Sequence, residues 1–508
     1  MHLHECILCA TGSSSSSPGP GTISLHDIQT GTSLASFKQT SAASHCTAVV
    51  HTRDGMGGFM LAAQPDKSIM NVYNFQKDQL ALKIVLPEKL SAIAVDQRGE
   101  WCAAGTLQGR IFLWEVASGI MYNAWDAHYR QVNVLRFTQD GAALVSGSDD
   151  SSVSVWSVSR LLDDDLQNEL PTPYCNLSDH SLPITDIVCG AGSFPSCRIL
   201  TSSADHTAKL WDLSSKTLLT TFHFPRPITC LAWDTTERLF FAGSGDGSVH
   251  QVNLFRQRVD KFGHAAMEAV GGGGVNDTIR INDEDPQAAK KRLISVGEPV
   301  TALAISLTSS LLLVGTAGGL VHTYDIASHQ QLRTLSVHKG LAITHLAALL
   351  RPPDLVGHVS LTLAAGTDTR EVPVRPVAPF QRMRDARTRG LHEVAMVLPP
   401  RSAAASEVFF EYPREEMLRD HAFFVGADAE GGQQPAGASA QARVAELEAE
   451  VARLREQLGK AKGMNDAMWE AVAKQIVDEK KGAAAANGRG EEDAEEAGRR
   501  KKRGRTEP

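Results

Sequence analysis

Two groups of polar residues have the composition of a serine hydrolase site. Each group has a histidine, a serine and an aspartate, namely His128, Ser146 and Asp150, and then His180, Ser202 and Asp205. A serine beside a histidine that an aspartate orients can act as a nucleophile. Each aspartate is also followed, six residues later, by a tryptophan. The whole set recurs along the chain, and an active site has no reason to repeat, so we expect both groups to be structural.

The two tryptophans, Trp156 and Trp211, complete the groups. A buried indole N–H and a buried imidazole both need hydrogen-bond partners, and a chain of satisfied polar groups fixes local geometry. The sequence therefore predicts two tetrads, each made of histidine, serine, aspartate and tryptophan, that lock the segments in which they lie.

These segments are copies of one repeat that consists of a turn, an apolar strand and a second turn. The positions equivalent to the tryptophan are His26, Tyr73, Trp114, Trp156, Trp211, Val252 and Tyr324. Four of the six steps between them measure 41–47 residues, close to the roughly 40–45 residues of a WD-repeat blade. Most copies are preceded by two strand-like segments, and a fourth strand follows the tryptophan position. Four short antiparallel strands repeated around a ring remove exposed sheet edges.

The predicted fold class is therefore all-β, a seven-bladed WD-repeat β-propeller with eight blades as the alternative. Unit one lacks an obvious first strand, whereas a degenerate segment at 343–378 follows unit seven. Strands from this segment, added to the N-terminal unit, would close the ring. Unit six has valine in the tryptophan column and unit seven has Gly318 at the aspartate position. We expect these two blades to be held by packing alone.

Composition limits the function classes further. The chain has 508 residues and a formal net charge of -8, which does not suit a strongly basic nucleic-acid binder. No apolar run of about 18 residues indicates a membrane span, and the N-terminus does not read as a secretory signal. The eight cysteines are then expected as buried free thiols. Cys6 and Cys9 have no second pair with which to hold zinc, so no metal, cofactor or catalytic residue is predicted.

Four regions follow from these patterns. They are the propeller at 1–380 with a flexible insertion at 256–297, a basic exit segment and linker at 381–440, a coiled-coil helix at 441–480, and a disordered tail at 481–508. The insertion has four glycines at 271–274 but lacks the GK[ST] of a phosphate-binding loop.

The exit segment carries Arg382, Arg384, Arg387 and Arg389. They suggest an RNA or acidic-partner contact, but a solvated linker is favoured because no aromatic residues are interleaved.

The C-terminal helix has an apolar seam whose spacing alternates between three and four residues. Its members are Val444, Leu447, Val451, Leu454 and Leu458, followed by Asn465, Met468 and Val472. This is the a/d pattern of a coiled coil, and an asparagine in the seam can set register. We favour pairing with a second copy over docking on the propeller or on a partner. The chain ends in a basic cluster that resembles a nuclear-localisation signal, formed by Arg499, Arg500, Lys501, Lys502, Arg503 and Arg505.

The arrangement as a whole resembles the WD-repeat subunits of the rixosome, a nuclear pre-rRNA-processing complex. The resemblance rests on LPITDIVCGAG at 182–192, SVHQVNLF at 248–255, the basic exit segment, and ARVAELEAEVARLREQL at 442–458. It implies a non-catalytic scaffold that assembles with two large helical-repeat subunits and, on pre-60S particles, with the ATPase midasin. It further implies a dimerising C-terminal helix, a location in the nucleoplasm and nucleolus, and support for removal of the second internal transcribed spacer. A link to DNA replication initiation is also attributed to this family.

A WD-repeat substrate receptor of a cullin-type ubiquitin ligase is the alternative function. Such a receptor would co-purify with an adaptor and a cullin. The sequence has no F-box-like helix ahead of the ring, which makes this alternative less favoured.

Overall fold

The structure is a computed structural model. It describes residues 4–12, 21–51, 57–64, 66–163, 170–259, 265–270, 277–281, 292–352, 355, 375–384, 449–460, 462–463 and 474. The chain divides into two units, Met1–Pro400 and Arg401–Pro508. The first unit contains the strands that are described next.

Within the described residues, seven sheets form the blades of a propeller. Blade one contains β1 (Glu5–Gly12), β2 (Gly21–Asp27) and β3 (Ser33–Thr40). Blade two contains β4 (Thr47–Val50), β5 (Phe59–Gln64), β6 (Ile69–Asn74) and β7 (Leu80–Val85). Blade three contains β8 (Leu90–Val95), β9 (Trp101–Thr106), β10 (Arg110–Glu115) and β11 (Met121–Asp126). Blade four contains β12 (Val132–Phe137), β13 (Ala143–Ser148), β14 (Val153–Ser157) and, after the short helix α1 (Val158–Leu162), β15 (Cys175–Leu177).

The remaining blades follow the same order. Blade five contains β16 (Ile184–Cys189), β17 (Arg198–Ser203), β18 (Thr207–Asp212) and β19 (Thr217–His223). Blade six starts with β20 (Ile228–Trp233), β21 (Leu239–Ser244) and β22 (Ser248–Asn253). Three strands then intervene, β23 (Phe255–Val259), β24 (Ala265–Ala269) and β25 (Asp277–Arg280), before β26 (Leu293–Ser295) completes blade six. Blade seven contains β27 (Val300–Ile305), β28 (Leu311–Thr316), β29 (Val321–Asp325) and β30 (Gln331–Leu335), and β31 (Ala342–Leu350) follows.

The ring closes through β31, which pairs antiparallel with β1 from Glu5 opposite Leu350 to Gly12 opposite Ala342. The sheet of blade one therefore runs in the order β3, β2, β1, β31. The last strand of the ring thus supplies the inner strand that the N-terminal unit lacks. The seven-bladed propeller that the repeat predicted is confirmed.

The core consists of apolar layers between neighbouring blades. The layer between blades three and four, for example, packs Leu113 and Trp125 against Leu135 and Trp156. The middle strands are buried on both faces, as in β17, where only Arg198 is exposed. Such strands read as continuous apolar or small-residue runs because both of their faces meet a neighbouring blade.

A second device joins the inner strands of neighbouring blades. A polar side chain near the start of one inner strand donates a hydrogen bond to a carbonyl at the start of the next. These bonds are Ser91 Oγ to Val132 O at 2.6 Å, Asn133 Nδ2 to Ile184 O at 2.9 Å, Thr229 Oγ1 to Val300 O at 2.8 Å, and Thr301 Oγ1 to Ile343 O at 2.6 Å. The last two connect blade six to blade seven and blade seven to blade one. The expectation that blades six and seven are held by packing alone is therefore wrong.

The insertion at 256–297 interrupts blade six, and part of it forms strands. β23 and β24 pair as a hairpin, and β25 pairs parallel with β19, with Thr220 opposite Asp277 and His223 opposite Arg280. β25 thus becomes a fifth strand on the outer edge of blade five. An outer strand has unpaired backbone groups on one side, and the added strand satisfies some of them. The sequence predicted a flexible surface insertion, because the segment has a run of four glycines and an acidic patch and lacks the GK[ST] of a phosphate-binding loop.

Residues 375–381, which we call the strap, pack on blade three. The Phe380 ring is buried and stacks on Trp114 with 5.1 Å between ring centroids. Gln381 O accepts a hydrogen bond from Trp114 Nε1 at 2.9 Å, and Ala378 N donates to Val116 O at 3.0 Å. The strap thereby satisfies a buried indole that has no tetrad around it. Gln381, which the sequence assigned to the exit segment, packs with the propeller.

In the second unit, residues 449–460 are helical. Among the described residues, no helix is both long enough and apolar enough to span a membrane.

Candidate functional site

Blade four contains one continuous chain of hydrogen bonds. His128 lies in the loop before β12, Ser146 on β13, Asp150 in the turn after β13, and Trp156 on β14. His128 Nε2 is 2.7 Å from Ser146 Oγ, which also accepts a hydrogen bond from Trp156 Nε1 at 3.0 Å. His128 Nδ1 is 3.1 Å from Asp150 Oδ2. The four predicted residues thus meet, and the chain ties a loop, two strands and a turn together.

Blade five has an equivalent chain with one different member. His180 Nδ1 is 3.0 Å from Asp205 Oδ2, and His180 Nε2 is 2.8 Å from Thr201 Oγ1. Trp211 Nε1 donates to the same Thr201 Oγ1 at 2.9 Å. The predicted member, Ser202, does not take part in this chain, and its Oγ lies 2.8 Å from Thr185 Oγ1.

The reason is strand geometry. Ile199 lies opposite Trp211 in the sheet, so Thr201, two residues further along β17, faces the same side as the indole. Ser202 is one residue beyond and points to the other face. Thr201 precedes Trp211 by ten residues, as Ser146 precedes Trp156. That spacing could have identified Thr201 from the sequence.

These chains serve the blades rather than a substrate. The Ser146 and Thr201 side chains are fully buried, and each hydroxyl is shared between an imidazole and an indole. Burial alone would raise the pKa of Asp150, but hydrogen bonds from His128 and Ser152 lower it overall. The pKa of Asp205 is lowered in the same way, since bonds from His180 and Thr207 outweigh its burial. Both aspartates are therefore ionised, and the hydrogen bonds that they accept stabilise the ionised form.

The tetrad aspartates also fix the loops on one face of the ring. Asp150 Oδ2 accepts a hydrogen bond from Tyr129 N at 3.1 Å, and Asp205 Oδ2 accepts one from Ser181 N at 3.1 Å. Each aspartate therefore holds both the imidazole and the backbone of the residue after it. The side chains that follow the histidines project from rigid turns. No pattern in the sequence predicted this second role.

Blade one replaces the tetrad with a pair of histidines. His338 precedes β31 as His128 precedes β12, and its Nε2 lies 3.0 Å from His26 Nε2 and 2.9 Å from Ser24 Oγ. Both rings are buried. Burial, followed by the charge of His26, lowers the pKa of His338 to about 4, and burial lowers the pKa of His26. The pair is therefore neutral at physiological pH.

The central channel opens on the tetrad face into a cavity of about 720 Å³. The cavity is lined by residues of six blades, among them Leu107, Gln131, Asn133, Asp149, Pro183 and Thr229. We call this opening the channel mouth. Its walls are mostly backbone, hydroxyl and aliphatic groups, which suits contact with another chain better than chemistry.

A charged cluster lies beside this cavity. Asp186 is buried on β16, and its Oδ1 is 3.5 Å from Arg136 NH2 on β12. Asp186 Oδ2 accepts a hydrogen bond from Leu231 N of blade six at 2.9 Å. His45 lines the mouth and has its Nδ1 4.0 Å from Asp186 Oδ1. The cluster joins four blades, and its carboxylate is satisfied from several sides.

The cysteines and potential metal ligands can be assessed across the residues that the structure describes. There, all eight cysteines are free, and Cys6 and Cys9 are buried on β1. Burial raises the pKa of Cys9 to about 12 and that of Cys6 to about 11. In the same part of the chain, no three histidine, cysteine, aspartate or glutamate side chains are grouped so that they could hold a metal ion.

The other predicted site residues fall partly outside the described part of the chain. Arg382 and Arg384 are exposed directly after the strap, whereas Arg387 and Arg389 lie outside the described residues. Of the helical seam, Val451, Leu454 and Leu458 are exposed on residues 449–460. The seam positions outside the described residues are Val444, Leu447, Asn465, Met468 and Val472. The basic cluster at 499–505 also lies outside them.

Comparison with known proteins agrees with this architecture. The family described as WD domain, G-beta repeat matches residues 121–157, 171–212 and 216–252, which cover parts of blades three to six. The chain is 34% identical over 446 residues to a protein of Mycosarcoma maydis named pre-rRNA-processing protein IPI3, with 74% of this chain and 76% of that protein covered.

Two further relatives match with similar identity. A Schizosaccharomyces pombe protein named pre-rRNA-processing protein crb3/ipi3 is 31% identical, covering 62% of this chain and 72% of its own length. Human WD repeat-containing protein 18 is 32% identical, covering 65% of this chain and 70% of its own length. These matches, together with the closed seven-bladed ring, confirm the resemblance that the sequence indicated. The chain belongs to the family of WD-repeat pre-rRNA-processing proteins that includes IPI3 and WD repeat-containing protein 18.

Proposed function

We propose that this protein is a non-catalytic scaffold subunit of the rixosome that supports pre-rRNA processing. In this role it assists removal of the second internal transcribed spacer and nuclear maturation of the large (60S) ribosomal subunit precursor. The observation that carries the proposal is a rigid, closed ring that belongs to a family of pre-rRNA-processing proteins. The tetrad hydroxyls are buried inside blades, which supports a structural rather than a catalytic use of the serine, histidine and aspartate residues.

The proposed partners are two large helical-repeat subunits, the ATPase midasin and pre-60S particles. A ring offers several separate surfaces for such contacts, namely its two faces and its rim. Arg382 and Arg384, which leave the ring at the strap, are proposed to contact RNA or an acidic partner with Arg387 and Arg389. A connection to DNA replication initiation is a further part of the proposal.

The C-terminal helix is proposed to pair with its own copy. Val451, Leu454 and Leu458 form an apolar stripe that is exposed in the single chain. A helix whose polar residues surround one apolar stripe gains most of its stability by burying that stripe against another helix. The basic cluster at 499–505 is proposed to direct the protein to the nucleus, where it would act in the nucleoplasm and nucleolus.

The test is a mild affinity purification of the tagged full-length protein from nuclear extract, read by mass spectrometry. We expect two large helical-repeat proteins, midasin and ribosomal proteins of the large subunit. We also expect precursors that retain the second internal transcribed spacer to accumulate when the protein is depleted. Recovery of a cullin and its adaptor without ribosomal proteins would instead show a substrate receptor of a ubiquitin ligase.

Pairing of the helix is tested by light scattering. Changing Val451 and Leu454 to aspartate should convert the proposed dimer to a monomer, because charges would enter the seam. The matched control changes Ala452 and Arg453 to aspartate, at adjacent positions outside the seam. An unchanged mass for the seam variant, or an equal loss in the control, would show that the seam does not mediate self-association.

A further inference from the structure

Strand β25 occupies the outer edge of a blade whose four strands are already complete. Blade five has β16, β17, β18 and β19, the same number of strands as each of the other six blades. β25 comes from the segment that interrupts blade six, and it pairs in parallel with β19. The edge of blade five is therefore an additional binding position for a strand, and in this chain β25 fills it.

Two isoleucines supply the side-chain contacts of β25. Ile279 lies opposite the buried Phe222 in the register of the two strands. Ile279 and Ile281 are partly buried and pack against the apolar cluster between blades five and six. Thr278 and Arg280, at the alternate positions, are exposed. Because alternate residues of a strand point to opposite sides, the edge selects apolar side chains at positions i and i+2.

Backbone pairing supplies the rest of the contact. β25 pairs with Thr220–His223, four of the seven residues of β19. Ile281 N also donates a hydrogen bond to His223 O at 3.0 Å. Every residue except proline has the same backbone donor and acceptor, so another strand with the same apolar spacing can take this position. Peptides recognised by strand addition bind in this way, with affinity from the backbone and specificity from alternate side chains.

The contact between β25 and the edge is small. It has four residue pairs, and parallel pairing is slightly less stable per residue than antiparallel pairing. Residues 270–276 separate β25 from β24, and residues 281–292 separate it from β26. β25 can therefore leave the edge without breaking either of those strand pairings. A strand that pairs with all seven residues of β19 would make more backbone hydrogen bonds and would displace it.

We propose that the outer edge of blade five is a strand-addition site for a partner protein, and that β25 occupies this site until the partner binds. The partner segment is extended and has isoleucine or valine at positions i and i+2, which replace Ile279 and Ile281. β-branched side chains suit this site because they favour the extended conformation and pack well on a sheet. The inference rests on the proposed scaffold role and deepens it, since it names one binding surface and the chemistry of its partner.

The experiment first empties the edge in the full-length protein. Ile279→Ser with Ile281→Ser, the emptied variant, removes the apolar contacts of β25, whereas the matched control, Thr278→Ser with Arg280→Ser, changes the exposed positions. Amide hydrogens of β19 should exchange at least about tenfold faster in the emptied variant than in the control, while those of β17 stay protected. Equal exchange of β19 in both variants would overturn the proposal. Loss of protection throughout blade five would also overturn it, because β25 would then be a permanent part of the fold.

A fluorescent peptide with the sequence of residues 275–283, VNDTIRIND, then probes the emptied edge. A tethered strand has an effective concentration in the millimolar range, so occupancy of about nine-tenths corresponds to a peptide dissociation constant of about 0.1 mM. We expect fluorescence anisotropy to show this affinity for the emptied variant. Binding to the unaltered protein and to the control should be about tenfold weaker, because only about one-tenth of their edges are free.

A second peptide tests the side-chain selectivity of the edge. VNDTSRSND, with serine in place of both isoleucines, should bind the emptied variant at least about tenfold more weakly, because it loses the apolar contacts. Three results would overturn the proposal, namely no binding of VNDTIRIND to the emptied variant, equal binding to all three proteins, or equal binding of the two peptides.

The chemistry of the partner is defined by selecting peptides from a phage-displayed random library on the emptied variant. The selected peptides should have isoleucine or valine at positions i and i+2, and selection of peptides without this spacing would overturn the proposal. A second copy of this chain is the rival occupant. It is tested by mixing the emptied variant with unaltered protein, both with Val451 and Leu454 changed to aspartate. A mixed dimer in light scattering would show strand exchange between copies and would overturn the assignment to a partner protein.

These outcomes can be separated from the function proposed above, since peptide binding is measured on purified protein without ribosomal particles. If the peptides bind the emptied edge but no ribosomal proteins co-purify, the strand-addition site stands and the assignment to ribosome maturation is wrong. If the peptides do not bind but ribosomal proteins co-purify, the scaffold role stands and the strand-addition site is wrong.

Discussion

Blades four and one place a histidine at the same point of the fold but give it different partners. His128 precedes the inner strand of blade four, and its Nδ1 lies 3.1 Å from the carboxylate of Asp150. His338 precedes the inner strand of blade one, and its Nε2 lies 3.0 Å from His26 Nε2. In one blade the imidazole meets an anion, and in the other it meets a second imidazole.

The two arrangements respond differently to protons. The pKa of Asp150 is lowered, since hydrogen bonds from His128 and Ser152 outweigh burial, so this carboxylate contributes stability above its ordinary pKa of 3.8 and loses it only in stronger acid. The pKa of His338 is lowered to about 4 by burial and by His26. Its contribution is complete above the ordinary pKa of 6.5 and is lost as the pH falls toward about 4. Blade one, where the ring closes, is thus the more acid-sensitive of the two.

The largest effect should come from removing a tetrad carboxylate. Asp205→Ala should lower the free energy of unfolding by about 2–4 kcal/mol, because His180 and the loop backbone at Ser181 lose a buried acceptor. Urea denaturation followed by tryptophan fluorescence measures this change. Asp246→Ala is the matched control in blade six, where the aspartate is exposed and serves its own turn and Arg226. It should cost less than about 1 kcal/mol, and a similar cost for both variants would show that the tetrad adds nothing.

The next effect is a loss of stability in mild acid. Between pH 7.5 and pH 5, the histidine pair of blade one should lower the free energy of unfolding by roughly 2 kcal/mol, because the unfolded chain binds protons that His338 and His26 do not bind in the folded ring. The measurement is a series of urea titrations across this range. His338→Gln should make the pH dependence less steep without abolishing it, since glutamine does not titrate and can still bond to Ser24 or His26, whereas burial also lowers the pKa of other histidines, namely His45, His250, His322 and His345. An unaltered slope in this variant would place the acid sensitivity in other groups.

A smaller change should distinguish the two hydroxyls of β17. Thr201→Val keeps the side-chain shape but leaves His180 and Trp211 without their shared partner, so it should cost about 1–2 kcal/mol. Ser202→Ala removes the bond to Thr185 and a long bond of 3.4 Å to Asp186 O, leaves the imidazole and the indole satisfied, and should cost less, about 0.5–1 kcal/mol. Thermal unfolding of the two variants side by side gives the comparison. A larger loss of stability for Ser202→Ala than for Thr201→Val would show that Ser202, and not Thr201, is the tetrad member.

The smallest effect concerns the turn that carries the aspartate. His206 follows Asp205 with a φ of 68°, whereas blade six has Gly247 at the same place with a φ of 87°. A side chain in this left-handed region is strained, so His206→Gly should raise stability by about 0.5 kcal/mol. Gly247→Ala should lower it, since a Cβ there would lie 2.8 Å from Glu298 O. Differential scanning calorimetry of both variants checks the opposite signs.

The repeat made the ring predictable from the sequence. The tryptophan column has the period of a blade, and the missing first strand of unit one, together with the extra segment after unit seven, predicted how the ring closes. The tetrad of blade four was predictable for the same reason, because its four residue types are distinctive. In blade five, the prediction chose Ser202 instead of Thr201 as the tetrad hydroxyl, because Thr201 is followed by two serines. Counting ten residues back from Trp211 resolves that ambiguity.

Three other features, namely the strap contact, the histidine pair and the bonds between inner strands, depend on contacts that cannot be predicted from residue types. The partner of Trp114 is a backbone carbonyl of Gln381, and every residue has such a carbonyl. His26 and His338 are separated by 312 residues, and blade one has neither a tetrad aspartate nor a tryptophan to mark the site. The bonds between inner strands use serine, asparagine and threonine, which occur equally well on any strand that faces the channel. Tertiary proximity, rather than local pattern, determines all three.

The strap has a mechanical consequence for any force that acts on the protein through its C-terminal region. A pull along the chain from beyond residue 384 reaches Gln381 and Phe380 before it reaches β31. The anchor of the strap on Trp114 and Val116 therefore bears the load first. While it holds, the pairing of β31 with β1 is shielded from peeling. Tension on the C-terminal region would thus be carried by blade three and not by the seam at which the ring closes.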